Sequence, residues 1–517
     1  MFLTKVNLNT AFLDVNMKQR SWVRRHALLQ QPRHAYLYSF IFVGVFFISG
    51  CQLSYFAKVP EDHQQAFLFG VERSQLGHHE LALRAGWSYL SASDEDDPRY
   101  DRTLRLLARS AEALNLTYAA SVWYLQIASG RRDPELIPEA VTGIKNIVES
   151  GVYDEDALIH RYIAVEELSS MGSEIDSFVH FYQGLQSFRQ DRKVWAFRHF
   201  RMIHQRSEYR LKARFVSAVR NIALGKLKIA QTSLVNLLKE LSSDHESVLM
   251  RDLWRDVMIT LARLAMQRDD VSTALEHFEA VRERVPDDPE LLLEIAWAHH
   301  LKGSPRRALG FLIALDAPVY QNLIAPERYI LEAMTYRSLC HFGPARQAAV
   351  RLNQRYNLAL DDLYGGVLPE RSKALRQAAG LRPELRPLTL FIQSLDREMA
   401  VVKSLEDALG SELTQGLLDL YQRGRTAAEV RREGALREEI GRLAEELLSA
   451  EEGVRLITHE LGVALLRGRK PPEGRGPVPP LEEIATQDQV VYHFRGEFWT
   501  DELDELIVAA EDRCIDQ

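Results

Sequence analysis

Few residues in this 517-residue chain are spaced for chemistry. His459-Glu460 opens like a zinc-protease helix, in which two histidines at i and i+4 share one face, but position 463 is Val463 and the second ligand is missing. His78-His79 and His299-His300 are adjacent pairs, which project to different sides of a helix and cannot chelate one ion. Gly225-Lys226 lacks the glycine-rich loop of a nucleotide site, and no serine stands in a nucleophile elbow. The acidic run Ser93-Asp-Glu-Asp-Asp-Pro98 is contiguous where a calcium loop needs alternating ligands, so it reads as a helix-capping turn. No catalytic residue, metal site, cofactor or small-molecule substrate is expected. The chemistry that remains belongs to three thiols, Cys51, Cys340 and Cys514.

Cys51 closes an export pattern. Lys18, Arg20, Arg24, Arg25 and Arg33 precede an apolar run over 35–49, which ends in Ile48-Ser49-Gly50-Cys51. The run is shorter than the roughly 20 residues a spanning helix needs. Its end resembles the lipobox of bacterial lipoproteins, so Cys51 is the expected lipidation site and residues 1–50 the signal peptide. An uncleaved anchor helix is the alternative. Translation can start at Met1 or at Met17. Gln52 in place of an aspartate directs the chain, by the enterobacterial sorting rule, to the periplasmic face of the outer membrane. In that oxidising compartment Cys340 and Cys514 form either a disulfide or two separate thiols, with Cys340 a small residue in a helix contact.

The elements that must carry these thiols are helical repeats. Ala218, Ala262 and Ala296 each stand twelve residues before Ala230, Ala274 and Ala308, and the same offset joins Gly184 to Ala196 and Ala333 to Ala345. Small residues at this offset let two helices of a pair, and then neighbouring pairs, approach closely. This is the tetratricopeptide signature. In the best unit Gly303 supplies the left-handed residue that ends one helix, and Pro305 begins the next. Ordinary amphipathic helices would explain the apolar stripes but not the fixed offset. A weaker form of the beat, Gly70 with Ala82 and Ala108 with Ala120, continues upstream.

Beyond the repeats the pattern changes. Leu388, Phe391, Ile392, Leu395, Met399 and Val402 stripe one helix, and a heptad series runs through Leu436, Ile440, Leu443, Leu447, Ala450, Val454, Ile457, Leu461 and Ala464. The expected partner of that seam is the upstream helix, in an antiparallel hairpin, with a second molecule as the alternative. Lys470–Pro480 is proline-rich and reads as an extended linker. The expected fold is all-α: a TPR-type α-solenoid, then long coiled-coil-like helices and a small C-terminal extended or β tail. The expected segments are 51–172 degenerate repeats, 173–357 solenoid, 358–469 helical hairpin, 470–480 linker and 481–517 aromatic tail. A net charge of −8 with interleaved acids and bases argues against nucleic acid as a partner.

Phe178-Val-His-Phe-Tyr-Gln-Gly-Leu, Trp195-Ala-Phe-Arg-His-Phe, Tyr209-Arg-Leu-Lys-Ala-Arg-Phe and Leu339-Cys-His-Phe-Gly-Pro-Ala-Arg resemble segments of the TPR lipoproteins in the gliding-motility machinery of myxobacteria and their relatives. The closing Val491-Tyr-His-Phe-Arg-Gly-Glu-Phe-Trp-Thr-Asp-Glu-Leu503 is similar to the aromatic C-terminal box of those proteins, and departs from it at Asp504-Glu505-Leu506. The resemblance implies a lipid-anchored, non-enzymatic periplasmic scaffold in an envelope machine for motility or surface transport, with protein partners in the solenoid groove. An assembly factor for outer-membrane proteins and an adaptor for peptidoglycan-modifying enzymes are the alternative functions.

Overall fold

The computed structural model describes residues 59–466, apart from 242–246, 319 and 321–324, together with Leu503, residues 506–510, Asp512 and Cys514. The expected signal peptide, Cys51, the linker and the aromatic box (Tyr492, Phe494, Phe498 and Trp499) lie outside the described residues.

Nearly every described element is a helix. They run α1 (His63–Gln75), α2 (His79–Ser91), α3 (Tyr100–Ala113), α4 (Thr117–Gly130), α5 (Ile137–Glu149), a π-helix (Asp156–Ile163), α6 (Ser173–Arg189) and α7 (Lys193–Met202). They continue with α8 (Glu208–Ala223), α9 (Leu227–Leu238), α10 (Val248–Met266), α11 (Val271–Arg282), α12 (Pro289–Leu301), α13 (Pro305–Ala314), α14 (Glu327–Ser338) and α15 (Phe342–Tyr364). Last come α16 (Lys373–Ala379), α17 (Arg386–Ser404), the one-turn α18 (Glu406–Leu409) and the 56-residue α19 (Ser411–Leu466).

The twelve-residue beat is a helix-pair beat. Its first member lies in α6, α8, α10, α12 or α14 and its second in the following helix. Ala196, Ala218, Ala230, Ala262, Ala274, Ala296, Ala308, Ala333 and Ala345 are all buried. Gly184 is buried too, because a Cβ there would stand 2.4 Å from the Phe200 ring. Upstream, Gly70 and Ala108 fall in α1 and α3, with Ala82 and Ala120 in α2 and α4.

A third position keeps the same register. Seven residues after each first small residue stand Gly77, Asn115, Asp191, Gly225, Asp269, Gly303 and Cys340, all with φ between 56° and 79°. The N–H of the next residue donates to the carbonyl five positions back at 2.8–3.0 Å, from His78 to Arg73 through His341 to Tyr336. This is the Schellman closure, which satisfies orphan carbonyls at a helix end and turns the chain into its partner helix. Glycine, asparagine and aspartate tolerate the left-handed backbone; Cys340 occupies it without that advantage.

The chain divides into two compact units that cut across the expected serial segments. The amino-terminal unit takes the described residues up to Val216 together with Arg386–Arg432; the carboxy-terminal unit takes Ser217–Leu385 together with Glu433 onward. The helices after the repeats are therefore shared out between the units, α17, α18 and the first part of α19 to one and α16 with the rest of α19 to the other.

The heptad residues from Leu436 to Leu461 are buried and Ala464 is half-buried, but the seam's partners differ from the expectation. In the carboxy-terminal unit, Leu436 to Val454 pack with Leu352 and Leu360 of α15, Leu375 and Ala379 of α16, and Leu385. Ile457 and Leu461 pack with Ala333, Ala345 and Ala348. The repeat helices leave an apolar face of their own, and the seam fills it. Arg382 fixes the register by a bidentate pair to Glu446 at 2.7 and 2.9 Å, and Arg376 does the same to Glu433 at 2.9 and 2.8 Å. Most of the expected extended or β tail lies outside the described residues, and among the described ones no strand occurs.

Candidate functional site

In the carboxy-terminal unit, the α12/α13 face carries a crossing peptide. Leu503 and Ala510 are buried in the same apolar cluster as Leu292, Ile295, Phe311 and Leu312, with Leu506 and Val508 packed against it. Burial alternates from Leu506 to Ala510: Leu506, Val508 and Ala510 turn inward, while Ile507 and Ala509 face out. That is the period of an extended chain. Gly310 is the crossing point, where an added Cβ would meet the Leu506 carbonyl oxygen at 3.0 Å. The Val508 N–H points to the Arg306 carbonyl at 3.4 Å, a long contact that contributes little. Cys340, in the turn between α14 and α15, and Cys514, in the tail, are joined by a disulfide with Cα atoms 5.3 Å apart.

The amino-terminal unit holds a polar cluster that the apolar-stripe reading skipped. Glu398 of α17 is 9% exposed and accepts from the Tyr421 hydroxyl at 2.8 Å and from the Tyr118 backbone N–H at 3.0 Å. Burial pushes its carboxyl up to about 7, against the lowering effect of those two donors. A signal existed: Phe391, Leu395, Glu398 and Val402 are spaced by four, three and four, so the carboxylate falls on the buried stripe. Two glycines of α19 make room for aromatic side chains of this unit, since a Cβ on Gly416 would meet Trp87 at 2.5 Å and one on Gly424 would meet the Tyr118 hydroxyl.

Beside this cluster lies an open cleft of about 710 Å³ between the π-helix and α19, lined by Asp154, Asp156, Arg161, Asp419, Arg423 and Thr426 among others. Asp154 caps the π-helix by accepting from the Ala157 N–H at 3.0 Å, and it receives Arg431 through both guanidinium nitrogens, one at 3.0 Å. Charges of opposite sign neutralise one another here, three aspartates against three arginines, and the lining offers polar contacts. On α7, Val194, Trp195, Phe197 and Met202 are exposed, with the Arg198 guanidinium 5.2 Å over the Trp195 ring.

The other sequence candidates have structural surroundings. His299 stacks on Phe311 with centroids 5.5 Å apart, and the His300 Nδ1 lies 3.0 Å from the Thr335 hydroxyl. Asp97 of the acidic run accepts from the Tyr89 hydroxyl at 2.9 Å and from the Arg99 N–H at 2.7 Å, as a turn-capping residue does. Among the described residues no group of three or more His, Cys, Asp or Glu is placed to hold a metal ion, and no helix is long and apolar enough to cross a membrane.

No family model matches the chain, and no curated protein matches it. Among solved structures it is similar to a circular tandem repeat protein with a novel repeat topology and enhanced subunit contact surfaces, at 14% identity over 79% of this chain and 98% of that one, with a TM-score of 0.15. A superposition that poor adds nothing to the packing seen here directly. Over the described residues the chain is a helical repeat protein, its consecutive helices packed in pairs.

Proposed function

We propose that this chain is a lipid-anchored, tetratricopeptide-type scaffold on the periplasmic face of the outer membrane, holding protein partners in an envelope machine and catalysing no reaction. The observation that carries the reading is the α12/α13 face, which accommodates an extended peptide, here the chain's own tail. Helical repeats bind extended or helical segments through such faces. The resemblance to gliding-motility lipoproteins points to motility or surface transport as the process. The basic and apolar residues leading to Cys51 support the anchor.

The test is photo-crosslinking in cells, with the reactive side chain at Ile507 or Trp195, both at least half exposed. The reading expects a small, constant set of crosslinked proteins in the envelope fraction. Absence of crosslinks from either position, or crosslinks to cytoplasmic proteins alone, sinks it. One observation favours a second reading, an assembly factor for unfolded outer-membrane proteins: exposed Val194, Trp195, Phe197 and Met202 suit transient apolar contacts. A broad mixture of barrel proteins crosslinked to Trp195 would select that reading.

A further inference from the structure

The contact between tail and helix pair is built for a chain that crosses, and among the described residues apolar side chains and one covalent link hold it. Gly310 sits inside a ten-residue helix, where glycine is a poorer helix former than alanine. Its use there is the 3.0 Å approach of the Leu506 carbonyl, which a side chain would block. Along the tail the inward residues are Leu506, Val508 and Ala510, at alternate positions. Among the described residues no ladder of main-chain hydrogen bonds fixes them; the Val508 contact at 3.4 Å stands in place of one. The tether is Cys514, bonded to Cys340 across a sequence separation of 174, and both cysteines are half-buried and so open to a small reagent.

We propose that the α12/α13 face is a docking site for an extended peptide with apolar side chains at alternate positions, that the tail occupies it in cis as a competing strap, and that reduction of Cys340–Cys514 frees it for a partner. In the reductive step a dithiol supplies two electrons and two protons. The Cys340–Cys514 bond breaks to two thiols, and a disulfide forms in the reductant. While the bond is intact, the tail stays at high effective concentration over Gly310 and an incoming peptide must compete with it. Once the bond is cut, the tail is tethered from one side only, its effective concentration over Gly310 falls, and an incoming peptide meets weaker competition. The proposal rests on the scaffold reading for the partner; the cis contact stands on geometry.

The experiment uses the full chain and a fluorescently labelled peptide with the sequence of residues 501–517, its cysteine replaced by serine so that no thiol exchange occurs. Anisotropy is read with the oxidised chain, the dithiothreitol-reduced chain, and the Leu506→Asp and Gly310→Leu variants. The expected result is tenfold or greater tightening of peptide binding on reduction. Leu506→Asp, which loosens the strap with the disulfide intact, should admit the peptide without reductant. Gly310→Leu, which fills the crossing point, should abolish binding when reduced. Equal binding to oxidised and reduced chain overturns the strap. No binding to either the reduced chain or Leu506→Asp, with circular dichroism unchanged, overturns the docking site. A peptide that binds as expected in vitro, while cells yield no envelope crosslinks, leaves this inference standing and removes the scaffold reading.

Discussion

Phe200 lies where a side chain on Gly184 would begin: a Cβ built on that glycine falls 2.4 Å from Phe200 Cε1 and 2.6 Å from Cδ1. The ring is itself wedged by Phe188 at 5.4 Å and Phe181 at 6.3 Å, so it has little room to yield. Gly184→Ala gains up to about 1 kcal/mol of helix propensity and loses roughly 1–3 to overpacking. The expected net effect is destabilisation, read as a lower urea midpoint. A midpoint raised by the full propensity gain would show that α6 and α7 are not in close contact.

Ala262 and Ala296 are fully buried at the corresponding positions of later pairs. Ala262→Leu or Ala296→Leu should each cost roughly 1–3 kcal/mol, whereas replacing the exposed Arg306 side chain by alanine should stay within about 0.5. Chemical denaturation of the three variants separates these expectations.

Glu398 makes the amino-terminal unit sensitive to pH. Its carboxyl is raised from 4.5 to about 7 by burial, so the folded state holds its proton more tightly than the unfolded chain does. The stabilisation is complete below about pH 4.5 and is lost as pH rises through about 7, a difference on the order of 3 kcal/mol. Glu398→Gln can still accept from Tyr421 and Tyr118, and should remove that slope. Stability measured from pH 4.5 to 8 in both proteins decides the point; parallel profiles would exclude Glu398 as the source.

Cys340 and Cys514 should be invisible to a thiol reagent in denatured, unreduced protein and should appear as two thiols after reduction. Closing a loop with a sequence separation of 174 stabilises by at most about 5 kcal/mol in the chain-entropy account. Cys514→Ser should lower stability by no more than that.

At Cys51 the expected outcome is incorporation of labelled fatty acid, abolished by Cys51→Ser. Acyl chains contribute about 0.8 kcal/mol per buried CH₂, so the wild-type chain should stay with membranes through a carbonate wash and the variant should not.

The helix pairs were legible because their requirement is local and steric: two backbones cannot approach over a large side chain, and Ala262 with Ala274 records that within twelve residues. The turn position was equally local, yet the sequence reading used it at Gly303 and passed over Asn115, Asp191 and Asp269, which share its backbone. The heptad seam was legible as a stripe but its partners were not, since Leu447 packs on helices far away in the chain and an apolar stripe carries no address. Glu398 was missed because a stripe is recognised by its apolar members, and a carboxylate within it looks like an interruption. The π-helix has no local signature that separates Asp156–Ile163 from an ordinary helix.

The division of α19 between the two units has a consequence for the order of events during synthesis. Repeat arrays usually mature from neighbour to neighbour as the chain lengthens. Here Tyr118 waits for Glu398, 280 positions later, and Asp154 waits for Arg431, 277 positions later. At roughly 5–20 residues per second, that interval is about a quarter to one minute of translation. For that time the early helix pairs have open apolar flanks and no closing helix. Long-range contacts of this kind slow folding, because the loop-closure entropy is lost before the contacts repay it.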